Sequence, residues 1–252
     1  MTVRSKIAML VAEFLGTGIL ATAVINVARS QIGIGYFVAF SAAIAFMLLT
    51  LVFNVTSGAH FNPAVTIGMW TIRKIQTLQA LAYIAAQMLG GLAAWRLAQY
   101  FTGQKLTSIA GKNFEWKILV AEAIGTFVLA FGISAALYQK YEGGKLAATV
   151  GAALFAGVVI ASLASNATIN PAVALANQSW ARAYIFGPII GSVVGMNLYA
   201  FLFAPRGLAT VTVSNANDTA PETSRRAAST ATTTRRKTVA KKKTTTTRRK
   251  AS

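Results

Sequence analysis

Two copies of the tripeptide Asn-Pro-Ala, at 62–64 and 170–172, are the residues of this chain best suited to act on a passing molecule. Asn is a favoured helix N-cap, and Pro is favoured at the first helical position, where its missing N–H is not needed. Each tripeptide therefore predicts a short helix, about 62–71 and 170–178, whose positive dipole end lies at the Asn. Such an end repels a cation, while the Asn amide donates to a neutral oxygen. The predicted motif residues are Asn62, Pro63, Ala64, Asn170, Pro171 and Ala172.

Other reactive chemistry is poorly represented in the chain. It has no cysteine, which excludes disulfides and thiolate catalysis, and its one histidine, His60, disfavours a catalytic zinc centre. The spacing of the polar residues gives no nucleophile–base pair and no metal-binding cluster. The sequence therefore predicts neither an enzyme nor a bound cofactor or metal.

The elements that position the tripeptides are predicted membrane spans. The chain of 252 residues is 55% hydrophobic and 12% charged, which is more apolar than a soluble domain requires. A hydrocarbon core is crossed by about 20 helical residues, and the apolar blocks reach that length. The six predicted spans are 7–27, 36–55, 78–101, 117–138, 146–165 and 182–204.

The tripeptides belong to an internal repeat. An offset of 109 residues brings 10–17 onto 119–126, and an offset of 108 superposes the two tripeptides. Each repeat, about 1–104 and 113–204, holds three spans, so the second half crosses the membrane in the opposite direction. Inverted repeats place their functional site at the midplane between the halves. The predicted fold is an all-α membrane protein with six transmembrane helices and two re-entrant half-helices.

Two segments, roughly 56–72 and 165–180, are predicted to be re-entrant. They are too short to cross the membrane and return, and too apolar to be exposed to water. Non-helical backbone at membrane depth is tolerated only where protein or a water-filled cavity satisfies its polar groups, so we expect these segments to line a pore. The pore-lining carbonyl groups are predicted to be those of Gly58, Ala59, His60, Asn166, Ala167 and Thr168.

A carboxylate lies in the first span of each repeat, Glu13 and Glu122. An intramembrane carboxylate is costly and needs hydrogen-bond partners. One interpretation is a proton relay. The other is structural, because the two carboxylates precede Asn62 and Asn170 by 49 and 48 residues and could accept backbone N–H bonds from the irregular loops. The symmetry of the pair favours the structural interpretation.

Residues 1–204 resemble the aquaporin and aquaglyceroporin family, the major intrinsic proteins. The resemblance rests on the run Ser-Gly-Ala-His-Phe-Asn-Pro-Ala-Val-Thr at 57–66, on Ala-Glu-Phe-Leu-Gly-Thr at 12–17, on Gly187-Pro188 and on Gln87 in the third span. It implies a passive pore in each subunit of a homotetramer, with no chemical reaction. It also implies that His60 packs in the pore loop, although a lone histidine also suggests a pH gate.

The chain departs from the family directly after the second tripeptide. Most members carry an arginine there that forms an outer constriction with three other side chains, and here the position is Val173. Counted from the motifs, the other three positions are Ala42, Val158 and Ala167. This predicted selectivity filter is small and apolar, which favours glycerol or dissolved gases beside water. Two arginines near the outer ends of spans, Arg96 and Arg182, either supply a substitute cation or extend to the lipid headgroups.

The basic charge of the chain is concentrated in its tail. Residues 206–252 hold 12 of the 24 Lys and Arg and almost no large apolar residue, which predicts a disordered segment at 207–252 after a channel domain at 1–206. Contact with anionic lipid is favoured over nucleic acid, because the tail has no aromatic residue for base stacking. With both termini cytoplasmic, seven basic residues flank the spans inside and five outside. We therefore expect a multi-pass protein of the plasma membrane.

The leading functional hypothesis is a passive transmembrane channel for water and small neutral solutes. One alternative is a secondary transporter, which also uses inverted repeats and broken helices. It would need a coupling site, and Glu13 and Glu122 are the only acids within the predicted spans. The other alternative is a structural membrane protein that conducts poorly.

Overall fold

A computed structural model describes residues 2–30, 35–111 and 113–204. Within these ranges the chain forms eight helices, of which six are long and apolar enough to cross a membrane. These six are α1 (Val3–Ala28), α2 (Gly35–Ser57), α4 (Thr77–Thr102), α5 (Trp116–Tyr138), α6 (Gly143–Ala161) and α8 (Arg182–Leu202). The two short ones are α3 (Pro63–Thr71) and α7 (Pro171–Ala176). The predicted tail at 207–252 lies outside the described residues.

The predicted all-α fold is confirmed, and several of its element boundaries differ from the prediction by up to four residues. The fifth span ends at Ala161 instead of 165, because the chain after Ser162 turns to bring the following loop onto a buried carboxylate. The second half-helix ends at Ala176 instead of 178. Gln178 has a φ of 60°, a left-handed conformation that stops the helix.

The first helix of each half packs tightly on the last helix of the same half, α1 on α4 and α5 on α8. A Cβ added at Gly90 would meet the carbonyl oxygen of Phe14, and one at Gly191 would meet that of Ala123. Only glycine allows backbones this close, which is how small residues bring membrane helices together.

The half-helices cross between the two halves. α3 packs on α8, a helix of the second half, while α7 packs on α4 and α1 of the first half. Gly91 of α4 faces the carbonyl of Ala172, and Gly68 of α3 faces the hydroxyl of Ser192. Each half therefore holds the short helix of the other, and the two tripeptides are brought together between them.

Candidate pore site

The two Asn-Pro-Ala turns meet through reciprocal hydrogen bonds. Asn62 Nδ2 donates to the Ile169 carbonyl oxygen at 2.9 Å, and Asn170 Nδ2 donates to the Phe61 carbonyl oxygen at 2.9 Å. Each Asn also caps its own helix, since Oδ1 accepts from the N–H two residues on, at 2.9 Å in α3 and 3.0 Å in α7. A side-chain amide has two N–H donors, so one on each Asn is left without a partner among the described residues.

The loops before the half-helices are backbone-strained in the same way. Ala59 and Phe61 have φ of 52° and 47°, and Ala167 and Ile169 have φ of 49° and 38°. A left-handed conformation costs a non-glycine residue roughly 1–2 kcal/mol, so each loop needs strong anchors. The left-handed residues at 59 and 61 therefore match those at 167 and 169, and the first loop has one more at Gly58, with a φ of 87°.

Glu13 anchors the first loop. Its Oε1 accepts from the Ser57 hydroxyl at 2.6 Å and the His60 N–H at 3.1 Å. Its Oε2 accepts from the Phe61 N–H at 2.8 Å and Gln87 Nε2 at 2.7 Å. The carboxylate is 0% exposed, and these four bonds compensate for its burial.

Glu122 anchors the second loop with a partly different set of partners. Oε1 accepts from the Ser165 hydroxyl at 2.7 Å and the Thr168 N–H at 3.0 Å. Oε2 accepts from the Ile169 N–H at 2.6 Å and the Thr168 hydroxyl at 3.2 Å. This carboxylate is also 0% exposed. The backbone donors lie at matching positions in the two loops, and the fourth donor does not.

His60 is held in the wall of the site. Its ring is buried, with Nδ1 3.1 Å from the Thr66 hydroxyl and its edge against the Tyr83 ring, at a centroid distance of 5.4 Å. The Tyr83 hydroxyl in turn donates to the Ser57 carbonyl at 2.8 Å. Sequence reasoning did not identify Thr66 and Tyr83 as partners of the loop, because their contacts depend on how α3 and α4 pack.

A cavity of about 220 Å³ opens beside the first loop. Gly58, Ala59 and His60 line it together with Thr50 and Asn54 of α2. The turn between α5 and α6 also borders it, which places the cavity on the face of the bundle that carries the chain's N-terminus. The second loop lies toward the opposite face, where Asn166 Nδ2 donates to the Ser179 hydroxyl at 3.0 Å and the Asn166 N–H donates to the Tyr184 hydroxyl at 3.1 Å.

The four predicted filter residues are buried and share one apolar cluster. Ala42, Val158 and Val173 are each 2% exposed and Ala167 is 5% exposed. They come from α2, α6, the second loop and α7, and the cluster also contains Phe61. None of these four side chains carries a hydrogen-bonding group.

Arg29, at the C-cap of α1, is a residue that the sequence did not single out. Its Nη2 donates to the Asn177 carbonyl at 2.6 Å and the Thr107 carbonyl at 2.9 Å, and its Nε lies 3.4 Å from Asn177 Oδ1. Partial burial lowers the pKa of Arg29 from its ordinary value, but a guanidinium stays charged in proteins. Arg96 instead lies exposed over the Trp95 ring at 4.6 Å, and Arg182 is exposed beside a cavity on the face away from the N-terminus, where Arg29 also lies.

Comparison with known proteins agrees with this geometry. A model of the major intrinsic protein family matches residues 1–199. The chain belongs to that family. It is 32% identical to Aquaporin Z of Photorhabdus laumondii over 227 residues, covering 78% of this chain and 98% of that protein. It is 36% identical to Aquaporin NIP1-1 of Oryza sativa over 227 residues, covering 82% and 78% of the two chains.

Among solved structures of this fold, the aquaglyceroporin from Plasmodium falciparum superposes with a TM-score of 0.66. The match covers 78% of this chain and 96% of that one, at 21% sequence identity. The arrangement of six membrane-spanning helices and two half-helices is therefore that of the family.

Proposed function

We propose that this protein is a passive channel for water and small neutral solutes such as glycerol and dissolved gases, and that it catalyses no reaction. The observation that carries the proposal is the junction of Asn62 and Asn170. Two positive helix ends meet there, and each amide keeps one N–H for a passing oxygen. The relatives named as aquaporins support the same function.

The solute range is assigned to the filter formed by Ala42, Val158, Ala167 and Val173. Small apolar side chains leave a wider opening with few donors, so a solute must exchange its water for backbone groups alone. An apolar gas forms no strong hydrogen bonds with water, so its desolvation in the filter costs little free energy. We assign the carbonyl groups of the two loops, at 58–60 and 166–168, as the acceptors that line the pore on either side of the junction.

Transport by a coupled mechanism is disfavoured by the two buried carboxylates. Glu13 and Glu122 each accept four hydrogen bonds and are 0% exposed, so neither presents a free oxygen to a coupling ion. They act as anchors of the loops. A coupled transporter also needs a second arrangement of its halves, and here each half-helix is locked to the other half through Asn62 and Asn170.

The proposal extends to assembly and location. Membership of the family supports a homotetramer in the plasma membrane with one pore in each subunit. The excess of basic residues beside the spans of the N-terminal face supports cytoplasmic termini. The basic segment 207–252 would then lie on the same side as anionic lipid. Each basic residue near such a surface contributes roughly 1 kcal/mol of favourable binding free energy.

The test is stopped-flow light scattering on proteoliposomes, with separate water and glycerol gradients. Both permeabilities should exceed those of empty liposomes. Ala42→Trp should reduce both at least about fivefold by filling the filter, whereas Ile44→Trp, at a 46% exposed position of the same helix, should leave them unchanged. Permeability equal to that of empty liposomes would refute the channel. Equal effects of the two tryptophans would refute the filter.

A further inference from the structure

A groove runs along the outside of the bundle between α1 and α4, on the face that carries the N-terminus. It consists of two adjoining cavities of about 270 Å³ and 410 Å³, which share Leu10 and Ala82 in their walls. Lys6, Gln76 and Gln79 border the first cavity, whereas apolar side chains alone line the second. The groove is therefore polar at its mouth and apolar along its length.

The depth of the groove matches one leaflet of a bilayer. From Leu78, in the first cavity, to Leu89, in the second, α4 rises about 16 Å at 1.5 Å per residue. That distance is about half of a hydrocarbon core of roughly 30 Å. At the next residue, Gly90, the two helices touch, since a Cβ there would meet the Phe14 carbonyl oxygen. Leu78 and Leu89 are 80% and 57% exposed, so the groove opens toward lipid.

The mouth of the groove offers a positive charge and a hydrogen-bond donor. Lys6 is exposed and has no ion-pair partner in the described part of the chain. Gln79 Nε2 donates one N–H to the Tyr83 hydroxyl at 3.2 Å, and its second N–H is available to a ligand. The Tyr83 hydroxyl donates to the Ser57 carbonyl at 2.8 Å, which fixes this wall of the groove to the first pore loop. A free ammonium beside an amide donor matches the phosphate of an anionic headgroup.

The second repeat has an equivalent cavity on the opposite face, between the starts of α5 and α8. The offset of 109 residues that relates α1 to α5 places Glu115 where the first half has Lys6. The glycine contacts at 90 and 191 give an offset of 101 between α4 and α8, which places Phe186 where the first half has Ala85. The second half therefore has an acid at the mouth and a large ring at a groove position. An anionic lipid matches the first half alone.

We propose that the groove between α1 and α4 binds one anionic phospholipid. Its phosphate pairs with Lys6 and accepts a hydrogen bond from Gln79. One of its acyl chains lies along Leu10, Ala85 and Leu89, as deep as the contact between the two helices. With the N-terminus cytoplasmic, the groove opens to the leaflet that holds the anionic lipids. The occupant is a whole phospholipid, because the polar mouth continues directly into an apolar groove one leaflet deep.

The test is native mass spectrometry of the full chain, delipidated in detergent and titrated with phosphatidylglycerol or with phosphatidylcholine of the same acyl chains. Lys6→Gln removes the charge at the mouth, and Ala85→Phe gives the exposed groove position the residue of the second half. Arg4→Gln is the control for charge, an exposed cation of α1 outside the lining of the groove. Ala93→Phe is the control for size, at an exposed position of α4 beyond the groove. The basic segment 207–252 is the same in every variant, so differences between variants report on the groove.

The wild type should bind its first phosphatidylglycerol more tightly than its first phosphatidylcholine. Lys6→Gln should reduce that preference about fivefold, as expected for one basic residue at a lipid surface. Ala85→Phe should weaken the binding of both lipids at least about fivefold, because it removes apolar contact along the chain. Both controls should match the wild type.

An unchanged preference in Lys6→Gln, or an unchanged affinity for both lipids in Ala85→Phe, would overturn the proposal. If Ala85→Phe changed the oligomeric state and left lipid binding as it was, the groove would hold a second copy of the chain instead. The measurement is of binding alone, so its result does not depend on whether the wild type conducts water.

Discussion

The two halves of the channel build the same loop with different side chains. In the first half the fourth donor to the carboxylate is Gln87, which reaches Glu13 from α4. In the second half it is Thr168, which lies in the loop that it helps to hold. Gly90 of α4 meets the carbonyl of Phe14 and Gly191 of α8 meets that of Ala123, so the two glycines are equivalent positions, and Pro188 occupies in α8 the position that Gln87 occupies in α4. Proline has no side-chain donor, and in the second half the fourth hydrogen bond comes from Thr168 of the loop itself.

The difference shows which features the geometry requires. The backbone N–H groups that bind each carboxylate, the left-handed residues and the reciprocal Asn bonds recur in both halves. The remaining donor to each carboxylate differs between the halves. The features that depend on the backbone therefore recur in both halves. The fourth hydrogen bond to the carboxylate can come from any suitable donor, and each half supplies it from a different element.

The largest effect is expected from the carboxylates themselves. Glu13→Gln and Glu122→Gln each replace an oxygen that accepts two hydrogen bonds with an amide nitrogen that donates. Two buried donors then lose their acceptor, at about 1–3 kcal/mol each, so we expect about 2–6 kcal/mol of destabilisation in both halves. Thermal unfolding in detergent measures it, with the exposed Glu142→Gln as control. A loss confined to one half would show that the loops are not equivalent.

The glycine contacts come next. Gly90→Ala and Gly191→Ala each place a Cβ against the backbone of the neighbouring helix, and we expect about 1–3 kcal/mol of destabilisation because the helices must move apart. Gly144→Ala is the matched control, since a Cβ there meets nothing within 4 Å. Unfolding temperatures that match the control would mean that the close approach is not needed.

The differing fourth donors should give unequal effects. Gln87→Leu removes bonds to both Glu13 and Thr66, at 2.7 Å and 2.9 Å, and we expect about 1–3 kcal/mol of destabilisation. Thr168→Val removes one longer bond, at 3.2 Å, and should cost less, about 1 kcal/mol. Thermal unfolding of the two variants measures this difference. A larger loss of stability in Thr168→Val than in Gln87→Leu would contradict the prediction.

The smallest effect is expected at the position where the two halves agree. Valine follows each tripeptide, as Val65 and Val173. Val173→Arg should narrow the filter and lower glycerol permeability about tenfold, with a smaller loss of water permeability. Val173→Ala controls for the loss of the valine and should preserve both. Equal losses of water and glycerol in Val173→Arg would place residue 173 outside the constriction.

Much of the fold could be predicted because the signals were local. Apolar length gave the spans, and Asn before Pro gave the starts of α3 and α7. The end of α7 could not be predicted, because nothing in Asn177-Gln178 marks a stop. Arg29 was missed for a similar reason. Its partners lie 78 and 148 residues away, and no spacing rule connects the end of one span to the end of a half-helix.

The reciprocal bonds between the tripeptides also bear on how the protein is made. Asn62 finds its acceptor 107 residues later in the chain, at Ile169. At synthesis rates of 5–20 residues per second, the first re-entrant loop waits about 5–20 s for that partner. During biogenesis the strained loop depends on Glu13 and its neighbours alone. The junction between the two tripeptides can therefore form only after the second loop has been synthesised.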